Sequence, residues 1–174
     1  MPRLYRIAKQ KHAVYDGSGA FIVGGRWSSP GRVVIYATEH FATALLEIIV
    51  HVNRAALPGP HHAISIDIPD DVAVEHLDPK RVRGWEMVGS PVARAFGDRW
   101  LSDQRTAVLY VPSVPGRPVE WNALINPAHP SARRLEPSAP FPVTWDGRLL
   151  AALPYRPGTG DLSVLPKKSG RRNG

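Results

Sequence analysis

Three residues of this chain have types and settings that could do chemistry: Arg26, Glu47 and Ser113. Arg26 stands in "GGRWSSPG", after a glycine pair that frees the backbone to approach a ligand closely. A guanidinium there is the side chain suited to bidentate contact with phosphate; the plainer alternative is a surface arginine stacked on Trp27. Glu47 lies in "ATALLEIIVH", with Thr43, His51 and Arg54 at helical spacing, on the polar stripe of an otherwise apolar stretch. In a cleft its carboxylate could stabilise developing positive charge or orient an acceptor. On the surface it would merely pair with His51 or Arg54. Ser113 directly follows "VLYVP", the end of a strand, where side chains often line a site; structurally it is a turn serine.

The familiar alternatives find little support. "GGRWSSPG" lacks the GxxxxGK[ST] order, no GxGxxG opens a helix, and GxSxG is absent. A hydrolase triad of Ser113, His129 and an aspartate therefore has no local context. His51, His61 and His62 do not have zinc-binding spacing and read as solvated, so no metal is expected. Asn122 and Asn126, in "WNALINPAHP", read as residues that satisfy loop backbone.

Stepping outward, 174 residues that are 43% hydrophobic suit a single domain with a core of ordinary size. The absence of cysteine excludes disulfides and thiolate metal sites and points to a reducing, cytoplasmic home. The first residues have no apolar leader pattern, and no run approaches a membrane span. The net charge of +7 is concentrated at one end. Residues 155–174 carry Arg156, Lys167, Lys168, Arg171 and Arg172 against Asp161 alone, which reads as a disordered basic tail on a nearly balanced domain of residues 1–154. Direct nucleic-acid binding is accordingly not expected.

The elements that must position the three residues follow from periodicity. Leu4–Ala8, Arg32–Ala37 and Ala107–Val111 read as strands, the last ended by Pro112. "AISIDI" alternates Ile64, Ile66 and Ile68 with polar residues, a half-buried strand. "AFIV" between glycine clusters reads as loop with at most a brief strand. Thr38 is placed to cap a main buried helix running to Pro58-Gly59, with Glu39 in its first turn and Leu45, Ile48, Ile49 and Val52 on one face. A short helix is expected near Val92–Trp100. "DDVAVEHLDPKRVRGW" reads as irregular with one strand at most, 115–147 as turns, and Arg148–Leu153 as a final strand. The class is α+β, with no internal repeat.

Taken in order, "YRIA", "GSGAFIVGGRWSSPGRVVIYAT", "ATALLEIIVH", "VPSV" and "WNALINPAHP" resemble the RES domain, the toxin half of a bacterial toxin–antitoxin family named for an arginine, a glutamate and a serine. The resemblance runs from about Leu4 to Leu150. It implies an ADP-ribosyltransferase-like split, bent β-sheet that holds NAD⁺ in a cleft, and breakage of the glycosidic bond to nicotinamide. Family members either destroy NAD⁺, passing the ADP-ribosyl group to water or phosphate, or transfer it to a protein. The implied partner is a co-encoded helix-turn-helix antitoxin whose C-terminal end plugs the NAD⁺ site. On this resemblance Arg26 holds the pyrophosphate and Glu47 stabilises the charge on the ribose. Arg6 helps bind the cofactor, Tyr36 stacks or hydrogen-bonds near nicotinamide, and Ser113 donates a hydrogen bond close to the ribose or the amide. Residues 76–104 carry no expectation of this kind. A binding module that meets nucleic acid through the basic tail is the alternative from a different class.

Overall fold

Ile64 and Ile66 are fully buried while Ser65 and Asp67 are only partly so, the outcome their alternation requires of a strand with one face on the core. In the computed structural model, which describes residues 1–51 and 59–151, that strand is one of eight. They are β1 (Arg3–Lys9), β2 (Ile35–Thr38), β3 (His61–Asp67), β4 (Val74–His76), β5 (Val108–Pro112), β6 (Trp121–Ile125), β7 (Glu136–Pro137) and β8 (Phe141–Pro142). The helices are α1 (Ser18–Val23), α2 (Phe41–Ile49), α3 (Pro91–Asp103) and α4 (Arg148–Ala151). The strands form one mixed sheet in the order β4-β5-β6-β2-β1-β3-β7, with β8 also on β3; only the β4–β5 pair is parallel. The α+β class read from the sequence holds.

The sheet has a seam. β1 and β3 are registered at seven pairs, from Arg3↔Asp67 to Lys9↔His61, and β2 and β6 at four. Between β1 and β2 a single pair, Tyr5↔Thr38, is in register. On one face, Leu4, Ile35, Ile66, Val108 and Ile125 share a core; on the other, Trp27, Trp85, Leu109 and Leu124 cluster with Ala93, Trp100 and Leu101 of α3. Alternation along β5 and β6 thus sends side chains into two cores, and those strands are covered on both faces. α2 lies over the far half, against Ile7 and Ala63.

Several expectations need correction. "AFIV" belongs to α1: Asp16 accepts from the Ser18 backbone N–H and hydroxyl at its start, and Gly24, at φ +71°, ends it. A short helix closes its own hydrogen bonds where no free strand edge is offered. β2 begins three residues later than expected because Arg32 is still turning, its N–H bonded to the Ser29 carbonyl. Thr38 ends β2 instead of capping α2, and Glu39 precedes the helix, whose N-cap is His40. α2 buries fully only Thr43 and Ala44, since Glu47, Ile48 and His51 wall a cavity. Its expected continuation through Val52 and Arg54 lies outside the described residues. β6 sits within 115–147, read as turns, and Arg148 opens a helix rather than a strand, with its backbone N–H capped by Asp146. His61, read as solvated, is buried with its Nδ1 2.6 Å from the Gly59 carbonyl. The expected tail, 155–174, lies outside the described residues. No helix among them is long and apolar enough to cross a membrane.

Candidate active site

Where β1 and β2 part, a cavity of about 630 Å³ opens, the size range of a small-molecule site. Tyr5 and Arg6 reach it from β1, Tyr36 from β2, Glu47 from α2, Asn122 from β6, and Arg26 from the loop after α1. Four of the five sequence-predicted site residues therefore line one space; Ser113 lies just behind it.

Glu47 is the most tightly organised of them. Its Oε1 accepts a hydrogen bond from the Ser113 hydroxyl at 3.0 Å and another from Asn122 Nδ2 at 2.6 Å. The carboxylate orients the Asn122 amide, since only the nitrogen can donate to it. Oε2 accepts no hydrogen bond from the described residues. Among the described residues the alternative ion pair of Glu47 with His51 does not form: His51 Nδ1 lies 2.7 Å from the Glu47 backbone carbonyl, and Thr43 donates its hydroxyl to Glu120 at 2.5 Å; Arg54 lies outside the described residues. Ser113 is fully buried, and the Gly116 N–H donates to its oxygen at 3.2 Å. Its one hydroxyl proton is donated to Glu47 Oε1. Serine and histidine do not meet as a triad: His129 instead accepts from the Ser131 N–H.

Arg26 Nη1 donates to the carbonyls of Trp85 at 2.9 Å and Met87 at 2.6 Å. Nε and Nη2 make no hydrogen bond among the described residues. Trp27 is no surface platform for it, being buried and stacked on Trp85 with centroids 6.1 Å apart. Tyr36 accepts the Trp27 N–H at 3.1 Å and lies 3.0 Å from the Ser28 hydroxyl, which fixes its ring in the cavity wall and occupies its polar end. Burial raises the phenol above its usual pKa, against the hydrogen bonds of Ser28 and Trp27. Gly25 makes this approach possible: a Cβ there would lie 2.3 Å from the Tyr36 hydroxyl oxygen.

Arg6 bridges the seam. It donates through Nε to the Val14 carbonyl at 2.5 Å, through Nη1 to that of Tyr36 at 2.6 Å, and through Nη2 to that of Asp16 at 2.9 Å. Its side chain satisfies the Tyr36 carbonyl on β2 and those of Val14 and Asp16 in the segment after β1. Burial lowers its pKa, opposed by the charge of Asp16. Three of its five N–H groups are thus engaged in holding the cavity floor.

Two cavity residues carry no sequence expectation as ligand contacts. Asn122 is placed by register, opposite Val111 on β5 and Thr38 on β2, and the bare sequence offers no signal of that. Arg94 lines the cavity from α3. Its only herald is Gly97, a glycine inside a helical pattern, which signals a close approach. Among the described residues no group of three or more His, Asp or Glu is placed to hold a metal ion.

The chain has relatives among known proteins. The chain is 39% identical over 141 residues to a protein named Prs ADP-ribosylating toxin from Sphingobium sp. (strain YBL2), covering 78% of this chain and 86% of that one. It is 35% identical over 132 residues to Toxin Res of Pseudomonas putida, covering 75% and 88%. Its fold is like that of a chain in the crystal structure of the M. tuberculosis MbcT-MbcA toxin-antitoxin complex, with a TM-score of 0.62, 18% identity, and 82% and 84% coverage. The RES domain family matches residues 3–146, a span that contains the whole cavity and all five predicted residues. By that match, and by the identities to proteins named as toxins, the chain belongs to the RES domain family.

Proposed function

We propose that the protein is a toxin that cleaves NAD⁺ at the nicotinamide glycosidic bond. The observation that carries this reading is the Glu47 carboxylate at the cavity wall, held by two donors on one oxygen and open on the other. Nicotinamide leaves as a neutral ring with the bonding electron pair, and positive charge develops on the ribose. A carboxylate already oriented and partly desolvated stabilises that charge without reorganising. Ser113 and Asn122 do the orienting. Water or phosphate then bonds to the anomeric carbon and gives up a proton, and ADP-ribose or its phosphorylated form is released. Arg26 faces the pyrophosphate with the N–H groups its carbonyl grip leaves open. The Tyr36 ring packs beside the nicotinamide end, and Arg6 keeps the floor in place.

On this reading the compartment is the cytoplasm and the partner is an antitoxin, supported by the likeness to a toxin–antitoxin complex; that this partner is a helix-turn-helix protein occupying the cavity is what the family resemblance implies. The test is incubation of the purified chain with NAD⁺ alone, following nicotinamide release. Turnover is expected, lowered about 10²-fold or more in Glu47→Gln and strongly reduced in Arg26→Ala. Full activity in Glu47→Gln would refute the mechanism. A second reading, transfer of ADP-ribose to a protein, is favoured by the name of the Sphingobium relative. It predicts little turnover of NAD⁺ alone and labelling of a protein acceptor when one is added.

A further inference from the structure

We infer that Arg94 is a second pyrophosphate-binding arginine of the cavity, acting with Arg26 from the opposite element; this rests on the reading of the cavity as an NAD⁺ site. α3 is docked by its own residues. At Gly97 the helix approaches Trp27 so closely that a Cβ would lie 1.8 Å from the Trp27 carbonyl oxygen. One residue on, Asp98 accepts the Ser29 N–H at 2.9 Å and the Ser29 hydroxyl at 2.5 Å. These contacts turn one face of α3 to the loop that carries Arg26. Arg94, three and four residues before them, lies on that same face and lines the cavity beside Gly25 and Arg26.

Arg94 is held there without a partner. Its Nε is buried and makes no hydrogen bond, and it forms no ion pair among the described residues. The carboxylate one turn away that would ordinarily neutralise it, Asp98, is committed to Ser29. Other arginines are satisfied: Arg3 by Asp67, Arg105 by Glu75, Arg134 by Asp71, and Arg6 by three carbonyls. A buried, unpaired N–H on a cation costs free energy, which an oxygen of a bound ligand would offset. The ligand group that fits is a bridged diphosphate, one anionic charge on each phosphorus, whose oxygens match the guanidinium fork.

The experiment compares the wild-type chain with Arg94→Met, Arg94→Lys and, as a control on the exposed side of α3, Arg99→Met. Calorimetry reads the Kd for ADP-ribose and for nicotinamide, and thermal unfolding reads stability without ligand. Arg94→Met is expected to weaken ADP-ribose binding about 10- to 100-fold. Nicotinamide binding stays unchanged, and Tm is unchanged or higher, since no native partner is lost. Arg94→Lys recovers part of the loss, and Arg99→Met binds as wild type does. ADP-ribose bound equally well by Arg94→Met overturns the inference while leaving the NAD⁺ reading intact. So does a fall in Tm with both ligands weakened alike, the mark of a structural role. Wild-type protein that binds neither NAD⁺ nor ADP-ribose overturns the reading of the cavity, and this inference with it.

Discussion

Removing the two donors on Glu47, singly and together, tests whether Ser113 and Asn122 act through that carboxylate. Both converge on Oε1, at 3.0 and 2.6 Å. A hydrogen bond to a charged group contributes about 1.5–3 kcal/mol, which is about 10- to 150-fold in rate if all of it positions the transition state. With one donor left, the carboxylate keeps most of its orientation, so Ser113→Ala and Asn122→Ala should each lower kcat about 10-fold. With neither, nothing from the described residues holds Oε1, and the double variant should fall about 10³-fold, beyond the product of the singles. That excess, about 1.4 kcal/mol, is the coupling between the donors. The assay is initial rates of nicotinamide release across NAD⁺ concentrations for the four proteins. kcat should carry the effect, with KM nearly unchanged, because neither donor is proposed to bind the cofactor. Ser113→Ala also removes the acceptor for the Gly116 N–H, so Tm is measured alongside. A double variant with wild-type kcat would refute the reasoning. An effect of Ser113→Ala on KM alone would instead return Ser113 to direct ligand contact.

Two further outcomes follow from packing and burial. Gly25→Ala places a methyl 2.3 Å from the Tyr36 hydroxyl oxygen and breaks its bond from Trp27, so urea denaturation should register a loss of about 2–4 kcal/mol, together with weaker NAD⁺ binding; unchanged stability would contradict the described wall. Burial, then the charge of Glu39, raises the Tyr110 phenol to about 12 from its ordinary 10.0. The folded state therefore holds this proton more tightly than the unfolded chain, and the contribution is complete below pH 10 and lost as pH rises toward 12. Alkaline difference spectra should show Tyr110 among the late-titrating phenols, with Tyr36 and Tyr15, and Tyr110→Phe should remove its step and flatten the loss of stability over that range.

The elements that could be read from sequence were those whose pattern is local. Alternating isoleucines marked β3, the run before Pro112 marked β5, and apolar spacing marked α3 within a few residues of its ends. β6 escaped notice because "WNALI" is bounded by proline and asparagine and acquires its strand only from two flanking partners, β2 and β5. The site divides the same way. Arg26, Glu47 and Ser113 were legible through the order of motifs, but their mutual arrangement was not, since Glu47 and Ser113 are 66 residues apart. Asn122 and Arg94 were invisible for that reason: each looks ordinary until register or helix docking aims it at the cavity. Arg6 shows the converse, a legible residue whose contacts are to backbone across a seam that no sequence pattern reveals.

That β2 has its full ladder with β6, and only one registered pair with β1, bears on when activity can arise during synthesis. A nascent chain that has passed Glu47 already contains Arg26 and Tyr36, yet the amide that grips Glu47 emerges 75 residues later. At ribosomal speeds of about 5–20 residues per second that interval lasts about 4–15 s. Throughout it Tyr36 lacks its strand partner Leu124 and Glu47 lacks the Asn122 amide, and until residue 113 is made the carboxylate lacks both donors. On the proposed chemistry, a product cut short before residue 113 therefore has neither group that holds the Glu47 carboxylate, and one cut short before residue 122 lacks the amide.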